Sequence, residues 1–269
     1  MTNACSMPLL LTASVSTRGM RGALFSDEER EAMYAAALRF YCSKLLLCNP
    51  GQTIVFVENS GFDLTPVRER LLRDFQTVAA QIEFISLNPN LFDISRGKGY
   101  NEALSISLAI DQSTAIKSAG RFFKATGRYP IFNIDYFIRS ASAKFSRGVE
   151  LYADVKDHNL YHRLGLKWTA RRMDTRLFAM TVDFWQKEIA PGADAINDVD
   201  YYLESYCFDR CRHTSHSASL RFGREPHLGG VAGHSGPATL MTSSHQGPKA
   251  TAKRLLANTL RCLIPGFWF

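Results

Sequence analysis

The sequence predicts an α/β fold in which a mainly parallel sheet carries helices on both faces. Four short β-rich runs, each closed by turn residues, lie at 9–15, 53–61, 82–88 and 121–127. Helical patterns separate them, and strands that alternate with helices favour parallel pairing through crossover connections. The length of 269 residues suits one large domain, or one domain with a small appendage.

Three helices are predicted between these strands. Ser26 and Glu29 form a capping box ahead of the first helix. Its apolar stripe at helical spacing is Met33, Ala37, Phe40, Tyr41 and Leu45. Thr65-Pro66 opens the second helix, whose inner stripe is Val67, Leu71, Phe75, Val78 and Ala79. The third helix follows the segment SRGKGYNE (95–102) and is apolar on most sides, so we expect it to be buried.

Beyond Tyr129 the alternation is less regular. Residues 149–155 and 175–185 have strand patterns, and residues 198–208 have a helical pattern. A long loop rich in Gly, Ser and His follows, and then an amphipathic segment at 251–264. We therefore divide the chain into a first half of the domain (1–130), a second half (131–220) and a C-terminal loop and helix (221–269).

The net charge of +7 is confined to the C-terminal part of the chain. From Arg210 onward there are eight basic residues and one acidic residue, so residues 1–209 are neutral. Because a nucleic-acid-binding domain carries its basic residues on a face of the main body, this distribution argues against a nucleic-acid partner. The six cysteines are scattered and no export signal is apparent, so we expect a cytoplasmic protein with reduced thiols.

Two glycine-rich basic segments are expected to meet at one edge of the sheet. Ligands of parallel sheets bind at the carboxyl ends of the strands, where the segments RGKG (96–99) and KATGR (124–128) both fall. The N-terminal amides of the third helix point into the same space, and helix N-termini bind anions. The pattern predicts a phosphate or diphosphate site; the alternative is two ordinary turns with solvated cations.

Common nucleotide-binding loops do not account for this pattern. Tyr100 follows the second glycine, where the phosphate loop of NTPases requires Lys followed by Ser or Thr. No Gly-x-Gly-x-x-Gly turn follows the first strand, which argues against a nicotinamide or flavin fold.

The order of the motifs resembles that of bacterial GT-A-type glycosyltransferases of surface-polysaccharide (capsule and O-antigen) biosynthesis. The matching pieces are LLLTASV, ENSG (58–61), RGKGYNEA, FFKATGRY and the late GGVAGHSG (229–236). The resemblance implies a GT-A-like, Rossmann-type sheet and a nucleotide-diphosphate sugar as donor. The nucleoside would lie near Thr12, Ala13, Arg18, Glu58 and Asn59. The diphosphate would lie near Arg96, Gly97, Lys98, Gly99, Lys124, Thr126, Gly127 and Arg128.

One departure from the family pattern concerns the metal. GT-A enzymes commonly place Asp-x-Asp after the fourth core strand, but this place reads KATGR and holds no carboxylate. Cations can neutralise the charge that builds on a departing nucleoside diphosphate, so we expect no divalent metal and no other cofactor. His234 and Ser235 of the late loop would add donors to the phosphates; the alternative is a Gly/Ser loop without this role.

Transfer with inversion also needs a general base. Asp198, Asp200 and Glu204 lie in the helical pattern, and the last two would share one helix face because they are four residues apart. We favour Glu204 as the base, with Asp200 second. A solvated helix face is the alternative, and a retaining enzyme would need no such base.

Two further patterns carry less specific predictions. Cys207, Cys211, His213 and His216 are zinc-ligand types, but their spacing matches no common zinc finger. The last amphipathic segment has one apolar face, formed by Ala252, Leu255, Leu256, Leu260 and Leu263. Basic residues beside it favour binding to an anionic membrane surface; the alternative is a helix docked on the domain.

Together these features predict a cytoplasmic enzyme that is peripheral at the inner face of the cell membrane. It would transfer a sugar from a nucleotide-diphosphate donor to a glycan or lipid-linked glycan acceptor. Two alternatives remain open: a non-catalytic nucleotide-sugar-binding subunit, and a nucleotidyl- or sulfotransferase on a similar sheet.

Overall fold

The computed structural model describes residues 7–17, 24–49, 51–157, 164, 171–212, 214, 217–230 and 247–263. Its strands form one sheet in the order β3-β2-β1-β4-β6-β5-β7. The strands are β1 (Leu9–Ala13), β2 (Ile54–Glu58), β3 (Ile82–Ser86), β4 (Arg121–Thr126), β5 (Leu151–Asp157), β6 (Arg171–Thr181) and β7 (Ala218–Ser219). Strands β1 to β4 are mutually parallel, and β6 is antiparallel to both of its neighbours. The predicted class, a mainly parallel α/β sheet, is confirmed.

Helices cover both faces of this sheet. They are α1 (Asp27–Tyr41), α2 (Thr65–Asp74), α3 (Gly97–Gln112), α4 (Thr114–Ala119), α5 (Ile134–Phe145), α6 (Val182–Phe184), α7 (Leu203–Arg212) and α8 (Pro248–Leu263). A π-helical turn, Trp185–Ile189, and a 3₁₀ helix, Ala190–Ala195, extend α6 toward α7.

Alternate residues of β1 enter two separate cores. Leu9 and Leu11 pack on the face covered by α1, α2 and α5, whereas Leu10 packs on the face covered by α3 and α7. This alternation follows from the two-residue period of a strand. A sheet buried on both faces leaves its carboxyl edge as the place where polar side chains can gather.

Of three local predictions, the structure confirms one and adjusts two. The capping box of α1 is confirmed, with hydrogen bonds of 2.8 and 3.2 Å between Ser26 and Glu29. The buried stripe of α1 is rotated from the predicted one and consists of Arg30, Tyr34, Ala37, Leu38 and Tyr41. The strand predicted at 175–185 ends at Thr181, because its side chain accepts from the N–H of Phe184 and begins α6.

The helix predicted at 198–208 begins only at Leu203. The side chain of Asn197 accepts hydrogen bonds of 3.0 Å from the N–H groups of Val199 and Asp200, and this turn competes with helix. The prediction that Asp200 and Glu204 share one helix face is therefore wrong, because Asp200 precedes the helix.

Candidate active site

A close backbone approach joins the carboxyl ends of β1 and β4. The N–H of Gly127 donates to the carbonyl oxygen of Thr12 at 2.9 Å. A Cβ atom at residue 127 would lie only 2.8 Å from that oxygen, so the position requires glycine. The turn that carries Arg128 is thereby held beside the loop that leaves β1, next to Ala13.

Glu58 ties the loops after β1 and β2 together. Its buried carboxylate accepts from the N–H groups of Val15 (3.0 Å), Ser60 (3.0 Å) and Phe62 (3.1 Å). Asn59 donates from its side chain to Ser105 of α3 at 2.8 Å. Glu58 and Asn59, two of the residues predicted to lie near the nucleoside, thus already brace the loops at the carboxyl edge of the sheet. We call the space along this edge the crevice and these loops its wall.

Two residues of α1, which the sequence analysis did not select, complete this wall. The Nε atom of Arg30 donates to the carbonyl oxygens of Ser14 and Val15, both at 2.9 Å. The hydroxyl of Tyr34 accepts from the N–H of Ser14 at 3.0 Å. Arg30 is only 7% exposed. Its position in the sequence could have identified it, because Arg30 lies at helical spacing from Tyr34 on the buried face of α1.

Three cations lie close together at this edge of the sheet, namely Lys98, Arg128 and Arg30. Burial lowers the pKa of Lys98, and the positive charges of Arg128 and Arg30 lower it further, whereas Asp198 raises it. We call these three residues the cation cluster. Like charges gathered in a half-buried crevice create a strong positive potential.

Arg128 keeps part of its hydrogen-bonding capacity unused. Its Nη2 atom donates to the hydroxyl of Tyr129 at 2.9 Å, and its guanidinium lies 4.9 Å from the centre of the same ring. Its Nε atom is buried and has no hydrogen-bond partner among the residues that the structure describes. Since buried donors in proteins are nearly always paired, this group is well placed to bind an anionic ligand.

The N-terminal amides of α3 are held by an internal carboxylate. Asp198 accepts from the N–H of Lys98 at 2.6 Å and from the N–H of Gly99 at 3.1 Å. Gly97 permits this approach, because its φ is +84° and a Cβ atom there would lie 2.4 Å from the Asp198 carboxyl carbon. Gly97 therefore serves close packing against Asp198, and Gly99 serves close packing against Ile196 and Leu203.

Lys124 lies beneath the crevice and is fully buried. Its Nζ atom donates to Glu102 (2.5 Å), to the carbonyl oxygen of Thr175 (2.6 Å) and to Thr126 (3.2 Å). Thr12 donates to the same carboxylate at 3.2 Å. We call Lys124, the three groups to which it donates and Thr12 the floor.

Arg96 faces a different neighbour from the cation cluster. Its Nη1 atom lies 3.3 Å from the Asp194 carboxylate, and its guanidinium stacks 3.7 Å from the ring centre of Tyr100. Arg96 therefore ties the start of α3 to the segment that extends α6. Of the four cations predicted to bind the diphosphate, Lys98 and Arg128 belong to the cation cluster, while Lys124 and Arg96 are paired with acids.

Glu204 is the second residue of α7 and faces the floor. Burial raises its pKa, and the negative charges of Glu102 and Asp174 raise it further, against a lowering by hydrogen bonds to backbone and to Thr175. A carboxylate with a raised pKa is a stronger proton acceptor than an ordinary one, and this suits a general base. Asp200 is exposed.

The beginning of the late glycine loop reaches the same crevice. The N–H of Gly229 donates to the carbonyl oxygen of Pro130 at 2.7 Å. Gly230 has a φ of +89°, and a Cβ atom there would lie 3.0 Å from the carbonyl oxygen of Arg128. The predicted ligands Arg18, His234 and Ser235 lie outside the described residues, as do His213 and His216.

The acids around the crevice do not form a metal-binding set. Glu58 is bound by amides, Glu102 by Lys124, Asp174 by Arg176 and Asp198 by the start of α3. Across the described ranges there is no group of three or more His, Cys, Asp or Glu side chains that could hold a metal ion. Divalent metals on phosphates need free hard oxygen ligands, whereas each of these four carboxylates already has protein partners.

Comparisons with known proteins find similarity at the level of structure. No family model matches the chain, and no curated protein matches its sequence. One similar structure is the mannosyltransferase PcManGT from Pyrobaculum calidifontis in complex with GDP-Man and Mn²⁺. It shares 11% identity at a TM-score of 0.43, over 67% of this chain and 46% of that one.

Two further solved structures are similar to the same extent. Galactosyltransferase LgtC, in complex with donor and acceptor sugar analogues, shares 11% identity at a TM-score of 0.41, over 67% of this chain and 59% of that one. Mouse xyloside xylosyltransferase 1 shares 10% identity at a TM-score of 0.43, over 80% and 84%. The chain thus spans about half the length of the first two proteins, and the similarity concerns the arrangement of strands and helices.

Proposed function

We propose that this protein is a GT-A-like glycosyltransferase that uses a nucleotide-diphosphate sugar as donor. The observation that carries the proposal is the cation cluster at the carboxyl edge of the sheet, where the buried Nε atom of Arg128 has no hydrogen-bond partner in the part of the chain that the structure describes. The start of the late glycine loop lies against the same turn. A diphosphate offers the several acceptor oxygens and the negative charge that such a cluster binds.

Each group then has a defined task in the transfer. The acceptor hydroxyl attacks the anomeric carbon, the bond from that carbon to the diphosphate oxygen breaks, and negative charge builds on the leaving nucleoside diphosphate. Lys98, Arg128 and Arg30 stabilise that charge. Glu204 accepts the proton of the acceptor hydroxyl. Because the sugar is transferred in a single displacement, the configuration at the anomeric carbon is inverted.

We further propose that the transfer proceeds without a divalent metal. The support is the chemistry of the residues present, because positive side chains stand where carboxylate ligands would be needed, and Glu102, Asp174 and Asp198 are already bound. The test is turnover in excess EDTA compared with added Mg²⁺ or Mn²⁺. Activity retained in EDTA supports the proposal. Loss of activity that metal restores would require acids such as Asp93 to act as ligands.

The C-terminal helix supports a role at a membrane surface. Arg261 anchors α8 through ion pairs to Asp154 (2.8 Å) and Glu225 (2.6 Å). The opposite face exposes Leu255, Leu256 and Leu263, each more than 60% accessible. A docked helix with leucines turned outward and lysines beside them fits an anionic bilayer surface. None of the described helices has the length and apolarity needed to cross a bilayer.

We therefore place the enzyme at the inner face of a bacterial membrane, where it would extend a lipid-linked surface polysaccharide. The double variant Leu255→Ser/Leu256→Ser should lose binding to anionic liposomes and keep its fold, because both side chains are exposed. Cys262→Ser on the same helix is the control. Unchanged liposome binding by the leucine variant would remove the membrane role and leave the transferase role untouched.

The proposed function itself is tested by ligand-dependent stability. Specific binding raises the unfolding temperature by mass action, so a panel of nucleoside diphosphates and their sugars should single out one base. The selected sugar nucleotide should then be hydrolysed or transferred. Binding without turnover would favour the non-catalytic subunit. Stabilisation only by nucleoside triphosphates or sulfated nucleotides would favour the nucleotidyl- or sulfotransferase alternative.

A further inference from the structure

The N-terminus of α3 already holds an anion that belongs to the protein. Asp198 accepts two backbone hydrogen bonds there, at 2.6 and 3.1 Å, in the geometry by which helix N-termini bind phosphate. Gly97 adopts its positive φ directly against this carboxylate. The contact is therefore specific to Asp198 and not a chance approach of a flexible acid.

One carboxylate leaves the site under-neutralised. Burial is the main cause that lowers the pKa of Lys98, and the positive charges of Arg128 and Arg30 lower it further, against the opposite effect of Asp198. The Nε atom of Arg128 also remains without a partner in the described part of the chain. Both observations indicate room for an anion with more charge and more acceptor oxygens than Asp198 supplies.

The segment that carries Asp198 is fixed at its two ends and exposed between them. Ile196 and Leu203 are buried, and both pack within 3.2 Å of the Cβ position of Gly99. Val199, between them, is 83% exposed. Release of Asp198 from the amides would thus require movement of this turn only, because Leu203, and with it the start of α7, is packed on α3.

We propose that Asp198 is an internal substitute for a ligand phosphate, and that a phosphate group of the donor takes its place at the amides of Lys98 and Gly99. The inference rests on the proposed function for the identity of the donor. In the free protein Asp198 satisfies the helix N-terminus and offsets part of the cation cluster. Binding then exchanges one anion for another, so the measured affinity is reduced by the cost of displacing Asp198.

Inorganic pyrophosphate is a suitable probe, because it carries the phosphate chemistry without base or sugar. We expect Asp198→Asn to bind pyrophosphate about tenfold more tightly than the wild type, by calorimetry at fixed ionic strength. Asp194→Asn is the matched control, since it removes one negative charge near the start of α3 without touching the two amides. It should change the affinity less than twofold.

A second measurement follows the amides directly. In the ¹⁵N-labelled wild type, the backbone amide signals of Lys98 and Gly99 should shift on saturation with pyrophosphate, because their acceptor changes from carboxylate to phosphate. If these signals stay in place at saturation, or if Asp198→Asn binds no more tightly than Asp194→Asn, the exchange is refuted. Absence of pyrophosphate binding to every variant refutes it too.

This experiment separates the two proposals. Pyrophosphate binding and amide shifts do not depend on turnover, so the exchange can hold in a protein that transfers no sugar. Conversely, if the protein transfers sugar but its Gly99 amide signal is unaffected by pyrophosphate, the proposed function stands and the exchange is refuted. If Asp198→Asn failed to fold, the titration of the wild-type amides would decide alone.

Discussion

The floor and the cation cluster lie at the same edge of the sheet but differ in what their cations contact. Lys124 of the floor has no exposed surface and donates to Glu102, Thr126 and a backbone carbonyl. Lys98 is half-buried, and no carboxylate forms an ion pair with its ammonium group within the described residues. A buried cation with every donor satisfied supports structure, whereas a cation beside other cations is available to a ligand.

The largest effect is expected at Glu204, which faces the floor and is proposed as the base. Glu204→Gln keeps the size of the side chain and removes its basicity, so turnover should fall by roughly 10²–10⁴-fold. Donor affinity should stay close to that of the wild type. The pH profile of kcat should lose its acidic limb, which lies above the ordinary glutamate pKa of 4.5 because burial raises it.

Asp200→Asn is the matched control for that experiment. Asp200 is exposed and precedes α7, so the same chemical change should leave turnover nearly intact. If Asp200→Asn were the inactive variant, the base would be reassigned to the turn before the helix. Full activity of both variants would point to transfer with retention of configuration.

The floor itself should be necessary for stability. Lys124→Met removes three hydrogen-bond donors and leaves Glu102 without its counter-ion. Breaking a buried ion pair costs about 3–5 kcal/mol, and because the Glu102 side chain is 27% exposed we expect about 3 kcal/mol. Urea unfolding measures this loss. Lys98→Met, the same substitution in the cation cluster, should change the free energy of unfolding by less than about 0.5 kcal/mol.

Equal destabilisation by the two methionine variants would remove the distinction between floor and cluster. If Lys124→Met leaves the free energy of unfolding unchanged, Lys124 becomes a candidate phosphate ligand again. The double variant Lys124→Met/Glu102→Leu should recover part of the loss, since replacing both members of a buried pair by apolar groups is often neutral.

The fold was largely predictable because its signals are periodic. The capping box of Ser26 and Glu29 and the runs of β1 to β4 are local patterns, and all correspond to observed elements. The start of α7 was not predicted, because Asn197 holds a turn through its side chain and such competition is decided by a few hydrogen bonds. The two-residue period of β4 explains why Lys124 is buried, because its side chain lies on the face of the sheet opposite to Phe123 and Ala125.

The candidate site was less predictable because its contacts join distant parts of the chain. The sequence indicated that RGKG and KATGR meet, but not that Asp198, about 100 residues later, would occupy the amides. Arg30 was missed for the same reason, since an arginine in a helix is usually solvated. Motifs predict which backbone segments converge, while the partner of each side chain depends on tertiary packing.

Replacing members of the cation cluster should affect ligand binding more than stability. Lys98→Ala or Arg128→Ala should weaken binding of the selected nucleoside diphosphate by about 1–3 kcal/mol, the range for hydrogen bonds to charged groups. Raised salt should weaken binding by the wild type and have less effect on each variant. Arg96→Ala is the control, because Arg96 is paired with Asp194 and Tyr100. If only Arg96→Ala lost affinity, the diphosphate would lie beside Asp194 and Tyr100 and not at the cation cluster.

The smallest effect is expected at the ion pair of Asp174 and Arg176, which we call the rim. Unlike Lys98 this pair is matched in charge, and unlike Lys124 it is partly exposed. Burial acts to raise the pKa of Asp174, but the charge and hydrogen bonds of Arg176 outweigh it and lower the pKa to about 2. A carboxylate with a lowered pKa adds stability above its ordinary value of 3.8, and this stability is lost as the pH falls toward 2.

Because 39% of the Arg176 side chain is exposed, solvent screens the pair and its contribution should be below about 1 kcal/mol. The measurement is urea unfolding of the wild type and Asp174→Asn between pH 6 and 3. The difference in unfolding free energy between the two proteins should be constant above about pH 5 and shrink below pH 4. A difference at pH 3 that is as large as the difference at pH 6 would mean that Asp174 acts through packing and not through its charge. A difference as large as that of Lys124→Met would extend the floor to the rim and leave Lys98, Arg128 and Arg30 as the ligand-facing group on their own.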